Sequence, residues 1–106
     1  MNDNKLDYES RLLIQNQHFL NKSSLIACDA FARISFVNCN FEDIEVAGDV
    51  FGSCRFQNCT FSNFYTRKAT FSSCHLEGCK ITNSNMARTE FYDTHFKNCE
   101  FLVFRC

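Results

Sequence analysis

From Phe31 to the end of the chain, large apolar side chains return at every fifth residue. The series runs Phe31, Phe36, Phe41, Val46, Phe51, Phe56, Phe61, Thr66, Phe71, Leu76, Ile81, Met86, Phe91, Phe96, Phe101 and Cys106. Two residues before its members stand Cys39, Cys54, Cys59, Cys74, Cys79 and Cys99, and Ala69, Ser84, Thr89 and Thr94 fill other such slots. An α-helix cannot use this interval, because positions five apart are rotated by roughly 140° and scatter around the axis. A strand uses part of it: residues two apart share a face, so Cys59 and Phe61 point the same way. The chain must then turn before the next inward pair. The residues two after a centre suit that task, since Asn38, Asn58, Gly78 and Asn98 recur there and Asn and Gly tolerate turn dihedrals that others resist.

A second period of twenty emerges when the series is stacked. Phe31, Phe51, Phe71 and Phe91 make one column, Phe36, Phe56, Leu76 and Phe96 a second, and Phe41, Phe61, Ile81 and Phe101 a third. The fourth, Val46, Thr66, Met86 and Cys106, has smaller centres, and its preceding slots hold Ile44, Phe64, Ser84 and Phe104. The outer slot grows where the centre shrinks, and Ser84 with Met86 restores the usual order. A core of fixed volume requires that trade. Four short sides per twenty residues describe an all-β square coil, with hydrogen bonds between coils setting a rise of about 4.8 Å. The predicted core is the Phe, Leu, Ile and Met centres together with the six slot cysteines.

Composition narrows the setting. A chain of 106 residues is one domain. Thirteen Phe and a net charge of −1 exclude intrinsic disorder and any global field toward nucleic acid or an acidic membrane. Eight cysteines first suggest a secreted disulfide scaffold. The start, "MNDNKLDYESRLLIQ", has neither a basic n-region nor an apolar h-region, and no run approaches a membrane span. The expectation is a cytoplasmic protein with free thiols and no membrane partner.

The stretches "FVNCNF", "FGSCRFQNCTF", "FSSCHLEGC" and "FKNCEF" resemble the pentapeptide-repeat family, whose repeat has a Leu or Phe centre and a small residue two before it. The resemblance covers Phe31 to Cys106 and implies a right-handed quadrilateral β-helix, a solenoid of about four coils. Residues 1–30 are expected to form an N-terminal segment and cap, with Leu6, Leu13 and Leu20 as a helical stripe. The last coil has no cover. Pairing with a second copy as a homodimer, or continuation in a longer protein, would satisfy its edge. The Phe- and Cys-rich wording is also similar to the bacterial quinolone-resistance and gyrase-protection branch, which implies a factor protecting a type II topoisomerase by DNA mimicry. Against it, residues 31–106 carry eight acidic and eight Lys/Arg residues, so the potential of a duplex is missing. The prism is also short, and no C-terminal dimerisation element is visible.

Three constellations bear on chemistry. The cysteines fall in two columns, Cys39–Cys59–Cys79–Cys99 and Cys54–Cys74. Thiolates ligate zinc, but structural sites present tight Cys-x2–4-Cys pairs, and Ala, Ser or Thr fill the same slots elsewhere. Packing beside a ring is the expected role, and stacked parallel neighbours are poorly oriented for a disulfide. His75 and His95 should stack on adjacent coils, facing out above Arg55 and Ser35. Solvated surface is the ordinary reading, and a pH-sensitive or metal-touched pair the alternative. Tyr65, Arg67, Lys68, Arg88 and Arg105 gather on the fourth side as a candidate interaction patch, with Glu42, Asp43 and Glu45 beside it. Basic and aromatic residues together suit single-stranded nucleic acid, but the mixed signs make a nucleic-acid partner unexpected. No nucleophile with its base, no phosphate loop and no carboxylate pair is readable, so no catalytic residue, cofactor or metal is expected. The reading is a non-catalytic protein-interaction scaffold of unknown partner. Topoisomerase protection is the alternative, and a domain of a secreted bacterial effector a further one.

Overall fold

The computed structural model describes residues 5–6, 11–20 and 30–105, with backbone alone at 5–6, 30 and 103–105. Every regular element among them is a strand: β1 (Lys5–Leu6), β2 (Leu12–Gln15), β3 (His18–Phe19), β4 (Ala30–Ala32), β5 (Ile34–Val37), β6 (Asn40–Glu45), β7 (Val50–Gly52), β8 (Arg55–Gln57), β9 (Thr60–Tyr65), β10 (Thr70–Ser72), β11 (His75–Glu77), β12 (Lys80–Asn85), β13 (Glu90–Tyr92), β14 (His95–Lys97) and β15 (Glu100–Arg105). No described helix is long and apolar enough to cross a membrane.

The five-residue beat is a backbone property. Residues 33, 38, 43, 48 and onward at every fifth position to 98 all have φ between +48° and +75°. Only two of these fourteen corners are Gly. Asn, Asp and Ser supply most of the rest, whose short polar side chains tolerate the left-handed region, and Arg33, Lys68 and Arg88 complete the set. Corner amides with a further coil beside them stay in the ladder: Asn38 N–H donates to Gln57 O at 2.9 Å, Asn58 N–H to Glu77 O at 2.8 Å and Gly78 N–H to Lys97 O at 2.9 Å. A turn that keeps its hydrogen bond repeats without leaving a buried donor unmet.

Strands one coil apart pair in parallel and in register at a twenty-residue offset, as in Phe31 with Phe51, Phe56 with Leu76 and Phe61 with Ile81. Three sheets result, running β4-β7-β10-β13, β1-β2-β5-β8-β11-β14 and β3-β6-β9-β12-β15. They wrap a solenoid of about four coils. The six-residue strands of the third sheet bend at Asp43, Asn63 and Asn83 and carry the chain round a corner to the fourth side. There Asn63 Nδ2 donates to Asp43 Oδ1 at 2.8 Å, and Asn83 Nδ2 donates to Asn63 Oδ1.

Register forces the rings into files. Phe31 and Phe51 stack with centroids 4.7 Å apart, Phe51 and Phe71 4.6 Å, Phe36 and Phe56 5.0 Å, and Phe41 and Phe61 4.8 Å, all with planes within 12°. Neighbouring files meet edge to face, as do Phe56 and Phe61 at 5.6 Å. In the fourth column Ile44, Val46, Phe64, Thr66, Ser84 and Met86 are all buried, so both halves of the size trade point inward.

The structure differs from the expectation at both ends. The stack begins before Phe31: β2 lies parallel on β5 with Ile14 opposite Phe36, and β3 on β6 with Phe19 opposite Phe41. The offset here is 22 residues rather than twenty, which hides the beat from a count made in fives. Phe19 is buried and stacks on Phe41 at 5.2 Å. Leu6 and Leu13 lie on strands β1 and β2, which pair antiparallel, and Leu20 is exposed, so the helical stripe does not form. At the other end, Phe91, Phe96 and Phe101 hold their places in the files but are 37–40% exposed, and Cys99 is half-buried. No described coil lies over them. Cys106 lies outside the described residues.

Candidate functional site

The coil's geometry decides which side chains are free to act. Inward positions close the tube. Asp49, which the five-residue reading did not single out, occupies the slot that Ala69 fills one coil on, and both are buried. Function falls to the outward positions and corners.

On the fourth side, strand register places Glu45, Tyr65, Asn85 and Arg105 in one file. Beside it Gly48 N–H donates to Arg67 O at 3.0 Å and Lys68 N–H to Ala87 O at 3.1 Å, so Gly48, Lys68 and Arg88 occupy successive tiers of one corner. Lys68 and Arg88 have φ of 63° and 59°, so the same turn that closes the coil points both cations outward. Tyr65, Arg67, Lys68 and Arg88 are all exposed. They lie together along one edge, while the side chain of Arg105 lies outside the described residues. A shallow depression of about 340 Å³ is lined by Glu45, Ala47, Gly48, Arg67 and Lys68. The surface is basic with an acidic rim at Glu45. Such a face can hold an acidic protein surface by charge and by the Tyr65 ring.

On the β5-β8-β11-β14 face the outward file reads Ser35, Arg55, His75 and His95. Ser35 is buried, Arg55 half-buried and both histidines exposed. The imidazoles of His75 and His95 stack with centroids 5.3 Å apart and planes at 22°. Next to this file runs a second, with Gln57, Glu77 and Lys97 in register.

The cysteine columns are packing. All six described cysteines are free thiols, and five are buried. Each lies within reach of backbone carbonyls: Cys54 Sγ donates to Phe31 O at 3.5 Å, Cys74 Sγ to Phe51 O at 3.3 Å and Cys79 Sγ to Phe56 O at 3.3 Å. Hydrogen bonding to Cys74 and burial push the Cys54 thiol above its ordinary range. Hydrogen bonding to Cys39 and Cys79, with burial, does the same to Cys59. Burial favours the neutral S–H, whereas the same hydrogen bonds lower the partner thiols, Cys39 and Cys74 to about 7 and Cys79 in the same direction, so the stacked sulfurs share protons as columns. Among the described residues no group of three or more His, Cys, Asp and Glu side chains is placed to hold a metal ion.

Comparison with known proteins agrees with the coil. The family model described as pentapeptide repeats (eight copies) matches residues 50–86 and 69–101. Among solved structures, a trypsin-treated form of QnrB1, a plasmid-mediated fluoroquinolone resistance protein, aligns with a TM-score of 0.56 at 15% identity. The alignment covers 84% of this chain and 57% of that one, so the chain spans little more than half the QnrB1 structure. Rfr23, a pentapeptide repeat protein from the cyanobacterium Cyanothece 51142, aligns with a TM-score of 0.35 at 11% identity, covering 87% of this chain and 84% of that one. No curated protein matches the chain. The repeat model falls on the residues that stack, and the left-handed corners keep its five-residue step: the chain belongs to the pentapeptide-repeat family.

Proposed function

We propose that the chain is a non-catalytic protein-interaction scaffold, with Tyr65, Arg67, Lys68 and Arg88 as the docking surface for an acidic face of a partner protein. The observation that carries this reading is the division of labour along the strands. Inward side chains are committed to the tube, while outward residues on consecutive tiers present a stiff, flat, basic edge that varies without disturbing the core. Arg105, whose Cα lies in register with Asn85, extends the same edge. Replacing Arg67, Lys68 and Arg88 together by Glu should abolish capture of a stoichiometric partner from the native host's lysate. The same charge reversal at Lys80, on another side, should leave it intact. A partner captured equally by both variants would reject this surface.

A second reading is protection of a type II topoisomerase. The fold likeness to QnrB1, a fluoroquinolone resistance protein, favours it, and the balance of acidic and basic residues weighs against duplex mimicry. DNA gyrase supercoiling with and without a quinolone tests it: no relief of inhibition at micromolar protein ends the reading. The exposed rings of Phe91, Phe96 and Phe101 support homodimerisation through the last coil. Sedimentation should then give twice the monomer mass, and Phe96→Asp should return it to one.

A further inference from the structure

We propose that His75 and His95 form a two-imidazole site for a borderline divalent transition-metal ion, Cu²⁺ foremost, on a face separate from the basic edge. Strands β11 and β14 pair in register with His75 opposite His95, and both rings are exposed. The hydrogen-bonded ladder fixes the spacing of the two Cα atoms, so the second donor is already in place when the first binds. That preorganisation separates a chelating pair from two independent surface histidines.

The geometry is within reach of one ion. A nitrogen bound to such a metal lies at about 2.0–2.1 Å, so two adjacent ligand nitrogens sit about 3 Å apart. The ring centroids are 5.3 Å apart, and closing the ring edges by about 2 Å takes only rotation of two exposed side chains among their rotamers. Imidazole donors suit Cu²⁺, Ni²⁺ and Zn²⁺, and the usual order of affinities puts Cu²⁺ first. Beside His75 lies a depression of about 260 Å³ lined with Arg55, Gln57 and Glu77, which leaves room for water in the remaining coordination positions.

The neighbouring charges set how the site behaves. Arg55 precedes His75 in its file, and Glu77 and Lys97 face each other in the next. Glu77 offsets Arg55 but is not a third ligand. Imidazole ligates only when neutral, so metal and protons compete and binding weakens as pH falls. Protonation of both rings would also place two cations beside Arg55 and Lys97, which sharpens that loss.

The test is a Cu²⁺ titration of the full chain after its accessible thiols have been alkylated, followed by electron paramagnetic resonance and by the shift in melting temperature. Wild-type protein should show coupling to two nitrogens, and Cu²⁺ should raise its melting temperature. His75→Ala and His95→Ala should each weaken binding at least tenfold. The double variant should lose less than the sum of the two single losses, because either single variant already forfeits the chelate and keeps only a lone imidazole. His18→Ala should change nothing. All four variants alter exposed residues, so unchanged melting temperatures without metal confirm that folding is intact. One-nitrogen coupling, equal affinity in wild type and single variants, additive losses, or no wild-type binding would each overturn the site.

Discussion

Phe56 provides the most direct test of the stacked core. It is 1% exposed, lies flat on Phe36 at 5.0 Å, and meets Phe41, Phe51 and Phe61 edge to face at 6.0, 6.2 and 5.6 Å. Replacing it with Ala removes a transfer contribution of about 1.5–3 kcal/mol. It also leaves roughly 100 Å³ that a ladder-bound backbone cannot collapse to fill, which adds up to about 2.4 kcal/mol. The expected loss is therefore about 3–5 kcal/mol, a large share of the roughly 5–15 kcal/mol that holds a domain together. Phe96 stands in the same file two coils on, but 37% of it is exposed and no closed cavity can form over it. Phe96→Ala should cost only about two thirds of the transfer contribution, or about 1–2 kcal/mol. Gln57→Ala and Ser62→Ala, on the outside, should cost under about 0.5 kcal/mol. Urea unfolding followed by far-ultraviolet circular dichroism reads all four as midpoint shifts at unchanged slope. Equal losses for Phe56→Ala and Phe96→Ala would refute the reasoning, because the two share a register and differ in whether a coil covers them.

Three further outcomes follow from the same geometry. The neutral Cys54 and Cys59 thiols are favoured in the fold, so their contribution is whole below the ordinary thiol value of 9.0. It falls above that value as the unfolded chain ionises, with a limiting slope of about 1.4 kcal/mol per pH unit per thiol. Urea midpoints measured from pH 7 to about 10.5 should show this decline in wild type and a shallower one in Cys54→Ala; identical slopes would reject it. In native labelling with a thiol reagent, Cys99 should react first among the described cysteines. Cys39, Cys54, Cys59, Cys74 and Cys79 should wait for unfolding, and rapid native labelling of Cys59 would contradict its burial. Gly78 has φ +65°, and a Cβ there would lie 2.5 Å from Asn58 Oδ1, whereas Gly52 has open space. Gly78→Ala should cost about 1–3 kcal/mol and Gly52→Ala almost nothing by thermal melting, and equal effects would mean that the corner does not constrain the turn.

How much of this was legible in the chain depends on what each feature obeys. Phe31 to Phe61 stack where a count of five and twenty puts them, because a parallel ladder in register converts sequence spacing directly into height along the axis. The trade of Val46 and Ile44 against Thr66 and Phe64 was legible for a similar reason: a tube of constant bore conserves volume at each level. The pairing of His75 with His95 also follows from the count.

Other features needed the fold. Phe19 joins the ring file only because two additional residues intervene before Phe41, and an insertion between coils leaves no local mark on either strand. The exposure of Phe91, Phe96 and Phe101 belongs to the stack as a whole, since burial of a ring depends on the coil above it and not on its own neighbours in sequence. Lys68 and Arg88 stand twenty residues apart, so the count already put them on one side, but only the backbone shows that both occupy left-handed corners. The sequence alone determined the order and register of the coil, because those are periodic and local. Tertiary structure decided where the stack begins and which rings lie open, because both depend on contacts between coils that no single repeat encodes.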